Sequence, residues 1–251
     1  MFKKLIILFT AWRNRREIKA NHNKMKEVSV VKWLSLTGVQ PKSGAFPLTP
    51  TYSSSLSNRL DWIKDFIQRR NHGDTLLIGD SLSDFTRNDL SSVAPDLNLA
   101  LAGQGSSFYI AILKDTKDAL KEINIKYVII ECFGNEFLNY FALEDVKLHA
   151  RDTFYLARYM YPNAKIILTG LPPVYDLYTN TVKEEWTDWL KLLVSSDPNS
   201  CLVLLDSLAG AFGIFPKVEY SSDGVHFAGK GILIYDELLN KAKLTNLKVI
   251  L

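Results

Sequence analysis

The chain has 251 residues, of which 47% are hydrophobic and 23% charged, and its formal net charge is +3. This composition is typical of a globular protein with a sizeable core, built as one large domain or as one domain with an appendage. Residues 1–42 carry a net charge of +8 and the remaining residues −5, so the mildly acidic body argues against a broad nucleic-acid-binding face.

The N-terminal segment combines an apolar run, residues 5–12, with basic residues on both sides. The run is too short to span a bilayer, which needs about 20 residues. It could be the core of a secretion signal, but basic residues at 13–16 stand where the cleavage site should be. Two alternatives are a segment that rests on an anionic membrane surface through residues 1–42 and a helix that packs on the body or frays. We expect a cytoplasmic protein, with membrane association as the alternative and export disfavoured.

Strand-like and helix-like segments alternate along the rest of the chain. A helix is predicted over 57–70, after a Pro- and Ser-rich connection. Short runs of aliphatic and β-branched residues predict five strands with both faces buried, and amphipathic spacing predicts the helices between them. The predicted strands are 75–78, 97–101, 127–132, 165–168 and 201–205, and the predicted helices are 107–122, 143–160, 181–195 and 229–242.

This alternation predicts an α/β fold in which a parallel sheet lies between two layers of helices. We expect residues 51–251 to form one domain and residues 1–50 to form a basic, apolar N-terminal extension of unknown role.

The two cysteines, Cys132 and Cys201, each lie in an apolar strand-like run. We expect both to be buried small hydrophobic residues in a reducing compartment. No cluster of Cys and His has the spacing of metal ligands, and the sequence implies neither a metal nor another cofactor.

Polar and glycine-bearing loops follow the predicted strands. Ser81 follows the first strand, Gly103 the second and Asn135 the third, and Asp223 and His226 follow the fifth after a longer loop. In an open parallel sheet the ligand binds beyond the carboxyl ends of the strands. The sequence therefore predicts that these residues converge at one edge.

Ser81 is a candidate nucleophile, but a serine hydroxyl needs a neighbouring base. Of the four histidines, His22 lies in the basic segment, His72 precedes the first strand, and His149 falls within a predicted helix. His226 alone lies in a loop at the predicted ligand edge. Asp223, three residues earlier, is close enough to accept a hydrogen bond from one imidazole nitrogen.

Acyl transfer also requires hydrogen-bond donors for the developing oxyanion. The backbone N–H groups of Ser81 and Gly103 and the side-chain amide of Asn135 are the candidates. Taken singly, each of these motifs is also explained as a turn or a tight bend. Their shared placement after predicted strands favours the functional interpretation.

These residues resemble the GDSL family of esterases and lipases, also called SGNH hydrolases, over about residues 74–240. The resemblance implies a flavodoxin-like sheet of strand order 2-1-3-4-5. It also implies Ser81 as nucleophile, His226 as base, Asp223 as its orienting group, and Gly103 and Asn135 as oxyanion donors. The four matching blocks are Gly79-Asp80-Ser81-Leu82, Asn98-Leu99-Ala100-Leu101-Ala102-Gly103, Gly134-Asn135-Glu136 and Asp223-Gly224-Val225-His226.

The chain departs from the family pattern at two positions. Glu136 stands where the third block has an aspartate, which could alter how the Asn135 loop is held. Ala100 stands where the second block often has a glycine, which could narrow the floor of the pocket. In the implied strand order, Cys132 and Cys201 lie on strands separated by a third, too far apart for a disulfide.

The sequence thus predicts a serine hydrolase that cleaves carboxylic esters, or thioesters, through an acyl-enzyme. One alternative is an acetylesterase or acyltransferase acting on carbohydrate. A second is a binding module that keeps the fold without turnover, and a third is an enzyme docked on membrane whose substrates are lipid esters.

Overall fold

The centre of the fold is a five-stranded parallel sheet, described from a computed structural model. The structure describes residues 40–69, 73–131, 133–174, 176–209, 219–221 and 223–251. The strands pair in full parallel register, with Thr75 opposite Tyr127 and Tyr127 opposite Lys165. The strands are β1 Thr75–Ile78, β2 Tyr127–Ile130, β3 Lys165–Thr169, β4 Ser200–Val203 and β5 Val249–Ile250.

Both faces of the sheet are covered. Leu76, Leu77 and Ile78 are fully buried, although successive side chains of a strand point to opposite faces. Residues at both faces therefore pack against helices, as the continuous apolar runs predicted. This confirms an α/β fold with a parallel sheet flanked by helices.

The helices fall close to the predicted segments. In α5, the residues Val146, Ala150, Phe154 and Ala157 are buried and recur every three or four positions, which places them on one face. Short 3-10 helices cover Pro95–Leu97 and Asp206–Leu208. The α-helices are α1 Tyr52–Gln68, α2 Ser81–Asp84, α3 Ser106–Leu120, α4 Gly134–Leu138, α5 Leu143–Met160, α6 Leu177–Ser195 and α7 Lys230–Leu244.

The predicted strand order 2-1-3-4-5 is wrong, because the strands lie in the order β1-β2-β3-β4-β5. The predicted second strand, 97–101, runs along the outer edge of β1 but makes only one bridge there, between Leu77 and Asn98. Leu97 belongs to a 3-10 helix, and the Asn98 side chain accepts the N–H of Ala100 at 3.1 Å. The N–H groups of Leu99 and Leu101 donate to the carbonyls of Leu77 and Gly79 at 2.8 and 3.1 Å, so the segment lies against β1 without forming a continuous ladder.

The fifth strand comes from the C-terminus, where the sequence pattern predicted none. Val249 and Ile250 pair with Leu202 and Val203 at the opposite edge of the sheet. Two residues are too short a run to stand out by composition or alternation.

A segment before α1 crosses the body near the carboxyl ends of the strands. The N–H of Lys42 donates to the carbonyl of Tyr140 at 2.8 Å, and the N–H of Phe46 donates to Oγ of Ser106 at 3.0 Å. The N–H of Thr49 donates to Oε1 of Gln104 at 3.4 Å. Residues 42–49 therefore pack on the loops that carry Gly103 and Asn135.

Several predictions fall outside the described residues: the N-terminal segment 1–39 with His22, the histidine His72, and Cys132. Membrane contact through residues 1–42 and the division of the chain at residue 50 stay predictions. Cys201 is a buried free thiol in β4. In the part of the chain that the structure describes, no helix is long and apolar enough to cross a membrane.

Candidate active site

The turn after β1 places Ser81 at the first position of α2. Gly79 is required there, because a Cβ atom at this position would lie 2.2 Å from Oε2 of Glu131. Oδ1 of Asp80 accepts the N–H of Leu82 at 3.1 Å and caps the helix. The chain therefore bends sharply at 79–80 and presents Ser81 at the carboxyl edge of the sheet.

Ser81, His226 and Asp223 form a continuous hydrogen-bonded chain. Oγ of Ser81 lies 2.9 Å from Nε2 of His226, and Nδ1 of His226 lies 2.6 Å from Oδ2 of Asp223. A carboxylate can only accept, so Nδ1 carries the proton and Nε2 accepts the hydroxyl proton of Ser81. The structure thus brings together the three residues that the sequence placed at one edge.

The loop around Asp223 fixes this carboxylate as an anion. Its Oδ1 accepts the N–H groups of Val225 at 2.9 Å and His226 at 2.8 Å. Burial alone would raise the pKa of Asp223, but the hydrogen bonds from the His226 side chain and from these N–H groups outweigh it and lower the pKa to about 2. Ser222, next to Asp223, lies outside the described residues.

One aromatic ring borders the imidazole. The ring centroid of Phe85 lies 4.8 Å from that of His226, and Phe85 is 60% exposed. Phe85 therefore packs against the imidazole at the exposed rim of the site.

Asn135 is the second residue of α4, the helix that follows β2. Its Nδ2 donates to the carbonyl of Gln104 at 2.6 Å, which orients the amide and leaves its second N–H free of that bond. Ser81 is the first residue of α2, so its N–H has no partner within the helix. Both N–H groups lie at the edge of the sheet where Ser81 Oγ is found.

Gly103 lies in the loop before α3 and has a φ of +72°, a conformation that favours glycine. A Cβ atom at this position would meet no atom within 4 Å. Gly103 is exposed, and it is connected to Asn135 through its neighbour Gln104. The loop is anchored to α2, because Oδ2 of Asp84 accepts the N–H of Ala102 at 2.9 Å. Gly103 does not line the cavity at Ser81.

That cavity is small, with a volume of about 20 Å³. Ser81, Gly134 and Asn135 lie at one side of it, and an apolar wall faces them. The wall is formed by Leu138, Leu171, Pro172, Val174 and Val225. Ala100, expected to narrow the pocket floor, is fully buried and does not line the cavity.

Three buried carboxyl groups surround the candidate site: Asp80, Glu131 and Glu136. Glu136 accepts the N–H of Ser106 at the start of α3, so the longer acid joins the Asn135 loop to that helix. Burial raises the pKa of Glu136 to about 7. Burial is also the main cause that raises the pKa of Asp80, and it raises that of Glu131 well above the ordinary value.

Sequence reasoning missed the roles of Asp80 and Glu131 in this arrangement. The signal available was an acid, Glu131, at the end of an apolar run predicted to be buried on both faces. Among the described residues, no three His, Cys, Asp or Glu side chains are grouped so that they could hold a metal ion.

No protein-family model matches the chain, and no curated protein matches its sequence. Solved structures do match. A Streptococcus pneumoniae protein assigned as a platelet activating factor has a TM-score of 0.63 at 16% identity, covering 76% of this chain and 90% of its own. A protein from Bacteroides fragilis assigned as an acylhydrolase has a TM-score of 0.53 at 16% identity, covering 72% and 94%.

A Desulfitobacterium hafniense protein assigned to the G-D-S-L family of lipolytic proteins has a TM-score of 0.53 at 17% identity, covering 68% of this chain and 99% of its own. At such identities the likeness is one of fold. Two of these neighbours are assigned as an acylhydrolase and as a G-D-S-L lipolytic protein, which confirms at the level of the fold the resemblance carried by the four sequence blocks.

Proposed function

We propose that this chain, which has the fold of the SGNH hydrolases, is a serine hydrolase that cleaves carboxylic esters through an acyl-enzyme. The observation that carries the proposal is the hydrogen-bonded chain from Ser81 through His226 to Asp223, with distances of 2.9 and 2.6 Å. A serine that donates to an imidazole, itself oriented by a carboxylate, is the arrangement that activates a hydroxyl for acyl transfer.

In the acylation step Ser81 Oγ attacks the ester carbonyl while its proton passes to Nε2 of His226. The imidazolium that forms is stabilised by Asp223, which stays ionised because its pKa is about 2. His226 then gives the proton to the departing alcohol oxygen, and the acyl group remains on Ser81.

The tetrahedral intermediate carries its charge on the former carbonyl oxygen. The proposed donors for it are the N–H of Ser81 and the Nδ2 amide of Asn135, which line the cavity, and the N–H of Gly103, in the loop that Asn135 bonds through Gln104. The bond from Asn135 to the Gln104 carbonyl, at 2.6 Å, holds the amide in place before the substrate arrives. Removing one such donor typically costs about 10²–10³ in kcat.

In deacylation His226 takes a proton from water, which attacks the acyl carbonyl and releases the acid and free Ser81. The chemistry assigned to these residues requires no cofactor. The same steps apply to thioesters, and to carbohydrate acetyl esters when a sugar hydroxyl is the leaving group or the acceptor. A binding module without turnover has no use for a serine bonded to an oriented imidazole.

The direct test is hydrolysis of p-nitrophenyl esters by the wild type and Ser81→Ala. We expect the substitution to lower kcat by about 10⁴-fold or more, because the nucleophile is lost. Ser195→Ala is the matched control, since Ser195 is an exposed serine at the end of α6. His226→Ala and His149→Ala form a second matched pair.

Full activity of Ser81→Ala would refute the assignment, and so would an equal loss in His149→Ala and His226→Ala. Extending the panel to thioesters and to acetylated sugars decides which leaving group is preferred.

A further inference from the structure

Two carboxyl groups, those of Asp80 and Glu131, are buried directly beneath the candidate nucleophile. Asp80 is 2% exposed and Glu131 is 1% exposed. Among the described residues, no lysine or arginine forms an ion pair with either. Two anions buried side by side without a cation would be strongly destabilising, so protons must neutralise part of this charge.

The contacts of Glu131 distinguish its two oxygens. Oε2 accepts the N–H of Asp80 at 3.1 Å and the N–H of Ser83 at 3.1 Å. Oε1 is buried and accepts no hydrogen bond from a described residue. Oε2 is therefore engaged as an acceptor on both sides of Ser81, and Oε1 is the oxygen available to carry a proton.

The contacts of Asp80, in contrast, favour its ionised form. Oδ1 accepts the N–H of Leu82 at 3.1 Å, and the backbone N–H of Asn135 and the charge of His226 also favour the ionised form. The titratable groups that interact with Asp80 are Glu131, Glu136 and His226. The charge of Asp80 also makes ionisation of Glu131 harder, so the two carboxyl groups do not ionise independently.

We propose that Asp80 and Glu131 hold a single proton between them, with Glu131 protonated and Asp80 ionised, and that the Asp80 carboxylate is a second anion that stabilises the His226 imidazolium. Asp80 is then a positioning residue: it touches no reacting atom, but it caps the turn of Ser81 and acts on the reaction through His226. The catalytic part of this inference rests on the proposed hydrolase function. The shared proton does not.

The contacts predict different effects for three substitutions. Glu131→Gln keeps an oxygen that accepts both N–H groups and is neutral like the protonated acid, so it should lose no more than a few-fold in kcat. Glu131→Ala leaves both N–H groups without an acceptor and should lose about tenfold or more. Asp80→Asn keeps the helix cap but removes the charge, and should lower kcat with little change in KM.

The pH profile of kcat/KM separates an electrostatic role from a merely structural one. The acidic limb reports protonation of the base in the free enzyme. Removing a neighbouring anion makes the imidazolium less stable, so Asp80→Asn should move this limb to lower pH. Glu131→Gln should leave the limb in place.

Infrared spectroscopy tests the proton directly, whether or not any ester is hydrolysed. In a Glu136→Gln background, which removes the other buried acid with a raised pKa, the protein at neutral pH should show the C=O stretch of a protonated buried carboxylic acid, and this band should be absent when Glu131→Gln is added. The proposal is overturned if Glu131→Gln leaves that band unchanged, if it loses as much activity as Glu131→Ala, or if Asp80→Asn leaves the acidic limb unmoved. Inactivity of the wild type on every ester, with the band present, would instead refute the hydrolase function.

Discussion

Glu136 differs in length from the aspartate of the family pattern, and the structure shows how the longer side chain is accommodated. Its carboxyl reaches the N–H of Ser106 at the start of α3. A Cβ at residue 105 would lie 2.5 Å from Oε1 of Glu136 and 2.8 Å from Cβ of Phe46. Gly105 therefore provides the space that the longer acid needs, and the helix N-terminus favours its negative charge.

Stability should nevertheless fall as Glu136 ionises. Burial raises its pKa from 4.5 to about 7, so the folded state binds the proton more tightly than the unfolded state. The resulting stabilisation is fully present below about pH 4.5 and is lost as the pH rises through about 7. A shift of this size corresponds to roughly 3 kcal/mol at most.

The prediction is that Glu136→Gln flattens the decline in the free energy of unfolding between pH 5 and pH 8. Urea denaturation across this range measures it, with Glu122→Gln as the control because Glu122 is an exposed glutamate. Identical slopes in Glu136→Gln and the wild type would contradict the assigned burial of this carboxyl.

At the scale of elements, the loops after β2 and β3 enclose the cavity beside Ser81. A volume of about 20 Å³ has room for a group of about the size of one water molecule. Leu138, Leu171 and Val174 close the apolar side. An acetyl group bound to Ser81 would place its methyl there, whereas each further methylene would require the wall to move.

We therefore expect kcat/KM to be highest for p-nitrophenyl acetate and to fall about tenfold or more by the hexanoate. Val174→Ala should shift the preference to longer acyl groups by enlarging the cavity. Val182→Ala is the matched control, because Val182 is fully buried but does not line the cavity. A wild-type preference for hexanoate, or equal chain-length profiles in both variants, would contradict this prediction.

At the scale of the whole molecule, continuous apolar runs were sufficient to predict four of the five strands. Such runs are buried whatever their neighbours, so the local sequence determines them. Segment 97–101 has the same composition but lies at the edge, where Arg59 and Arg87 bond the carbonyl of Ala100 and Asn98 bonds its N–H. Which side chains reach a backbone group depends on tertiary packing, and this the sequence does not reveal.

The candidate site likewise has a part that the sequence predicts and a part that only the structure shows. The motifs were sufficient to predict that Ser81, Asp223 and His226 lie together, because each follows a strand that ends at the same edge. The pairing of Asp80 with Glu131 could not be predicted, since it depends on two acids of distant sequence position being buried in contact.

The central claim is that Ser81 is an activated nucleophile. Reaction with a fluorophosphonate probe tests it most directly, because only an activated serine is phosphonylated, and mass spectrometry of the digested protein locates the label. We expect one label per chain on the peptide that contains Ser81, no label in Ser81→Ala, and unchanged labelling in Ser195→Ala. Equal labelling of Ser81→Ala, or a label on another serine of the wild type, would contradict the claim.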